Sequence, residues 1–119
     1  MALLGRIDDP ATSRWARAQL RRTALTTVVS AMPAACGFSS DGWLSQVAVP
    51  AAVVVTTRDQ VVPPGRQLKL ARAIPGASVH EVDAGHGACV NAPRLFAPAL
   101  LEACRSVESG RGSMLRTSA

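Results

Sequence analysis

Seven consecutive residues, Ala51-Ala-Val-Val-Val-Thr-Thr57, limit this chain more than any other feature. β-Branched side chains are stiff about χ1 and pack well on a pleated surface, so the run favours extended backbone over helix. Odd and even positions alike are apolar through Val55. A strand with no wet face belongs in a parallel sheet, covered on both sides. Pro50 stands at its start and lacks an amide donor, which the first residue of a strand tolerates.

Downstream, Pro63-Pro64-Gly65 opens a segment in which Leu68, Ala71 and Ile74 recur at helical spacing, and Pro75-Gly76 stops it. Ser78-Val-His-Glu-Val-Asp83 reads as a second short strand. A last helix follows, with Asn91 as its cap, Pro93 in its first turn and an apolar set of Phe96, Leu100, Cys104 and Val107. Pro98 either bends that helix or delays its regular part to about Ala97, because an interior proline costs about 3 kcal/mol. The order strand, helix, strand, helix is a βαβα unit, which predicts a parallel pair and a right-handed crossover. The fold class expected is α/β. Sheets of this kind need both faces covered and ordinarily more strands, so the unit predicts partner strands from outside it.

Upstream, 10–31 is predicted to be one helix, capped by Asp9 or Thr12, with Ala16, Leu20, Ala24 and Val28 on one face. Arg14, Arg17 and Arg21 form a charged stripe beside it. Turn formers from Met32-Pro33 to Asp41-Gly42 read as a connection to a short element at Trp43 to Gln46. The Gly- and Ser-rich end predicts a disordered tail. Three segments result: a helical one over 1–46, the βαβα portion over 47–108, and the tail over 109–119.

Charge and composition narrow the function classes. There are 13 basic residues against 8 acidic ones, and all the basic residues except Lys69 are arginine. Nucleic-acid binding ordinarily adds stacking platforms to positive charge, and the aromatic residues are only Trp15, Phe38, Trp43 and Phe96. A solvated basic surface is expected, with no nucleic-acid partner. The alternative is a small basic module that binds RNA or an anionic surface through the helix at 14–22. Cys36, Cys89 and Cys104 form no Cys-x-x-Cys pair, so reduced, mostly buried thiols are expected, without a disulfide framework, metal site or cofactor. Ala2-Leu3-Leu4 is too short for a signal-peptide core, and no apolar run reaches a membrane-spanning length, so a cytoplasmic location is expected.

In open α/β sheets, functional groups gather just beyond the carboxyl ends of the strands. Asp59 follows the first strand there, and His86, between Gly85 and Gly87, follows the second. Neighbouring strands lie about 5 Å apart, so a carboxylate and an imidazole on these loops are within reach of each other. A carboxylate that orients an imidazole, which in turn shuttles a proton, is the equipment of acyl transfer. Taken singly, Asp59 also suits a loop carboxylate capping the next helix, and His86 a turn residue. Their placement after consecutive strands favours the catalytic reading. Cys89 and His80 are expected to serve packing or the surface.

The ordered set Val49-Pro50, Asp59-Gln-Val-Val-Pro-Pro64, Ile74-Pro-Gly-Ala77 and Asp83-Ala-Gly-His86 resembles the final portion of an α/β-hydrolase. The resemblance runs from Val49 to Val107, while 10–43 is similar to a cap segment only loosely. It implies a partial α/β-hydrolase fold: the last two parallel strands with flanking helices, plus an N-terminal helix. It further implies Asp59 as triad acid, His86 as general base, no cofactor, and an esterase- or lipase-like reaction on a small acyl substrate. In that family the nucleophile sits upstream on a Gly-x-Ser-x-Gly elbow. This sequence has no such motif. Gly37-Phe-Ser39-Ser-Asp-Gly42 comes nearest, but it lacks the second glycine at the right offset and follows no apolar strand. The implied chain is inactive alone, and is completed by an upstream segment or by a second chain at the exposed edge of the strand Ala51 to Thr57.

Overall fold

The computed structural model describes residues 9–117, the side chains of Leu20 and of 111–117 excepted. The start of the chain, with the Ala2-Leu3-Leu4 run that is too short for a signal-peptide core, lies outside the described residues. So do the last two positions of the tail.

The stiff apolar run forms β1 (Ala52–Thr56), and the second segment forms β2 (Ser78–Val82). The two pair in parallel, with Ala52 opposite Ser78 and Thr56 opposite Val82. Backbone bonds from Thr57 N to Val82 O (2.9 Å) and from Arg58 N to Ala84 O (3.0 Å) carry the pairing past the strand ends. The fold is therefore α/β, with a two-stranded parallel sheet and flanking helices.

Helix α3, as numbered along the chain, spans Pro64–Ala73 and connects the strands. Its stop has a definite cause. Gly76 adopts φ +69°, a conformation that L side chains avoid, and Ala77 N donates to Ile74 O across the Pro75-Gly76 turn. After β2 come a single turn, α4 (Ala88–Asn91), and the long helix α5 (Pro93–Thr117). Ala92, not Asn91, precedes α5, and its carbonyl accepts from Leu95 N and Phe96 N. Pro98 lies inside α5, so the regular helix does not wait for Ala97. Helix also continues where the composition predicts a disordered tail. Gly110 lies close to Pro50, two residues ahead of β1: a Cβ there would sit 3.1 Å from the proline Cβ.

The predicted single N-terminal helix is two: α1 (Pro10–Arg22) and α2 (Leu25–Gly37). Asp9 caps α1 by accepting from Thr12 N and Thr12 Oγ1, both at 2.6 Å. The break falls where Thr23 turns its hydroxyl back onto Gln19 O and Ala24 takes extended dihedrals. α2 then runs through Pro33 into the stretch read as a connection. Its apolar side chains Leu25, Val28, Val29 and Met32 are all exposed, and neither α1 nor α2 has an extensive contact with another described element. Of the face expected to be buried, Ala16 is buried, while Ala24 and Val28 are not. The element at Trp43 to Gln46 is a 3₁₀ turn, Leu44–Gln46, resting on α3 through the buried Leu44.

α5 covers one face of the sheet. Phe96, Ala99, Ala92 and Val54 pack around Val82, Ala84 and Ala88. Alternation along β1 sends Val53 and Val55 to the other face, and Val55 is the largest side chain that is fully buried. Most of the other buried apolar residues are alanines. No described helix is long and apolar enough to cross a membrane.

Candidate active site

Opposing Thr56 to Val82 brings the two strand exits side by side, and the residues that follow them meet. His86 Nδ1 lies 3.0 Å from Asp59 Oδ2. The structure thus brings together the two residues singled out from the sequence.

Asp59 is almost wholly buried, with a side chain 4% exposed. A buried carboxylate is tolerable only when its lone pairs are used. Here Oδ1 accepts from Val61 N (2.8 Å) and Val62 N (2.9 Å), while Oδ2 accepts from Thr56 Oγ1 (3.0 Å) and from the His86 imidazole. Burial pushes the Asp59 carboxyl up, but the bonds from Val62, His86, Val61 and Thr56 outweigh it and hold the group below the ordinary aspartate range. Through Val61 N and Val62 N Asp59 also holds the loop ahead of α3, but it does not cap that helix, whose N-cap, Pro63, has no side-chain cap bond.

An ionised carboxylate can only accept, so Nδ1 of His86 carries the proton in this bond. In the neutral ring Nε2 is then the lone-pair nitrogen, and among the described residues nothing hydrogen-bonds to it. The ring is 44% exposed. The pair therefore presents a basic nitrogen at the rim, while its counter-charge stays buried behind it.

A second link ties the two loops. Arg58 Nε lies 2.6 Å from Asp83 Oδ1, and Nη2 donates to both Oδ2 and the backbone carbonyl of Asp83, each at 2.8 Å. Gly85 is not needed for space, since a Cβ there would meet Arg58 O at an ordinary 3.7 Å.

Sequence reasoning missed Thr56 and Gln67, which touch the carboxylate from β1 and α3. The available signals were a threonine ending a run of valines and a polar residue beside Leu68 on the helix. His80 bonds, half buried, with Ser78 Oγ (3.2 Å) and Ser106 Oγ (3.3 Å), away from the strand ends that hold the pair. Cys36, Cys89 and Cys104 are free and exposed, contrary to the expectation of buried thiols. Cys104 was expected on the inner side of the last helix, but with only two strands beneath it α5 overhangs the sheet. Ser39 lies in an exposed turn where it accepts from Asp41 N, and Asp41 pairs with Lys69 of α3 at 2.7 Å. Arg14, Arg17 and Arg21 are exposed along α1. No family model matches this chain, and no curated protein or solved structure matches it either.

Proposed function

We propose that this chain supplies the acid and the base of an acyl-transfer site of the α/β-hydrolase kind, with the nucleophile brought by an upstream segment or by a second chain. The observation that carries the reading is the 3.0 Å bond between His86 Nδ1 and the buried Asp59 carboxylate. Asp59 selects the tautomer in which Nε2 is basic and stabilises the imidazolium formed when Nε2 takes a proton. A hydroxyl placed within hydrogen-bond reach of Nε2 would lose its proton as it attacks an ester or lactone carbonyl. The same nitrogen would return that proton to the leaving group. The edge of β1 at Ala52 and Val54, which pairs with no other strand among the described residues, is the natural seat for the completing strand.

The experiment is nitrogen-15 NMR of the histidine rings. Neutral His86 is expected to hold its proton on Nδ1, and Asp59→Asn to abolish that preference. A neutral ring protonated chiefly on Nε2 would overturn the reading.

A second reading rests on the exposed Arg14, Arg17 and Arg21 of α1: a basic module for RNA or anionic surfaces. It calls for binding that weakens steeply with salt and is lost when the three are changed to glutamate.

A further inference from the structure

Within the parallel pair, residues of β1 alternate between pointing their backbone groups at β2 and pointing them away. Ala51 O accepts from Ser78 N and Thr57 N donates to Val82 O, so the odd positions face β2 and the even ones face the open edge. Thr56 belongs to the open edge, yet its N–H is met. Gln67 Oε1 accepts it at 2.9 Å, and Gln67 Nε2 lies 3.4 Å from Thr56 O. One carboxamide from α3 thus closes the edge at the residue where the site begins.

That closure fixes the orientation of the carboxamide, because its oxygen must face Thr56 N. Nε2 then donates to Val62 O at 2.7 Å and to Thr56 Oγ1 at 3.0 Å. A threonine hydroxyl has one proton. Receiving a bond from Nε2, it sends its own proton to Asp59 Oδ2, the stronger acceptor, at 3.0 Å, over the Gln67 oxygen at 3.3 Å. Val61 N and Val62 N occupy Oδ1, and Thr56 occupies one side of Oδ2. Gln67 Nε2 also reaches Oδ2 directly, but at 3.4 Å, longer than its 3.0 Å bond to Thr56 Oγ1; the rest of Oδ2 faces His86.

We infer that Gln67 is the positioning residue of this site: through the Thr56 hydroxyl it orients the Asp59 carboxylate so that Oδ2 holds the Nδ1–H of His86. The inference rests on reading Asp59 and His86 as an acid–base pair. It goes beyond that reading by assigning a relay, Gln67 to Thr56 to Asp59, that begins at the backbone edge of the sheet. Of the nearby charged groups, Arg58 and Asp83 on the same two loops hold each other, and Lys69 of α3 is held by Asp41.

The test is an NMR titration of the Asp59 carboxyl carbon and the His86 ring in the full chain, with Gln67→Met, Thr56→Val and the double variant. Gln67→Met should raise the Asp59 midpoint by about one pH unit, a tenfold loss of acidity, as expected for a lost donor to a buried carboxylate. It should also lower the Nδ1–H fraction of His86. Thr56→Val should do the same, and the double variant little more than either, because the direct 3.4 Å contact is the weaker route and the two otherwise act in series. Gln67→Glu places an anion beside Asp59 and should raise the midpoint further. An unchanged midpoint in Gln67→Met with a native amide spectrum, or additive shifts in the double variant, would overturn the relay and leave the acid–base reading intact. If Gln67→Met unfolds the chain, Gln67→Ala decides by the same criterion. The acid–base reading itself fails separately, if neutral His86 carries its proton chiefly on Nε2 in the unaltered chain.

Discussion

Arg58 and Asp83 hold each other across the two strand exits through both ends of the guanidinium fork, one residue before Asp59 and three before His86. Both side chains are largely exposed, so the pair should contribute below about 1 kcal/mol to stability despite its bidentate geometry. Its effect should be local. Arg58→Ala is expected to leave the urea midpoint nearly unchanged while amide protection at Ala84 to His86 falls, as read by hydrogen exchange. A large loss of global stability would show that the clasp belongs to the core.

Acid should weaken the fold through Asp59. Its folded carboxyl titrates below the ordinary range, so between the two values the unfolded chain binds more protons, and stability rises with pH. The contribution is fully present above the unfolded value of about 3.9 and is lost as pH falls through the lower folded value. Urea unfolding from pH 2 to pH 6 should show this limb, and Asp59→Asn should flatten it. An equally steep limb in the variant would assign the acid sensitivity to other groups.

Val55 is the one large side chain buried to 1% exposure. Val55→Ala should cost about 2 kcal/mol, the transfer of the lost methyls plus the cavity left behind. Val29→Ser on the exposed face of α2 should change stability by less than about 0.5 kcal/mol. Equal effects in denaturant titrations would mean that α2 is covered in solution, by another copy or by its own chain.

Fluorophosphonate labelling of the chain alone should give no adduct. The sequence has no nucleophile elbow, and His80, the one other imidazole, shares Nε2 between Ser78 and Ser106 without a described carboxylate to orient it. Stoichiometric labelling, mapped by mass spectrometry to Ser78 or Ser106, would relocate the chemistry to the opposite end of the sheet.

Much of the βαβα unit was legible because its signals are local and strong. The valines specify a two-sided strand, Pro75-Gly76 needs the one positive φ among the described residues, and the loops after two parallel strands place Asp59 and His86 on one rim. The break at Thr23 was not legible, since it depends on a hydroxyl turning back onto the preceding helical turn. Nor was the proximity of Gly110 to Pro50, two residues far apart in the chain. Thr56 and Gln67 escaped notice for a similar reason. Their role depends on which way the backbone of an edge strand faces, a property that appears only once register and neighbours are known.

The scarcity of large buried side chains has a calorimetric consequence. Heat uptake and heat-capacity change on unfolding scale with the apolar surface newly wetted, and a core built mainly of alanines has little to wet. Melting of the lone chain should therefore spread over a wide temperature interval, with a shallow endotherm. Any segment that covers the open edge of β1 and the bare side of α2 would sharpen that endotherm and move it upward, so a scanning calorimeter can detect the completing piece before its chemistry is known.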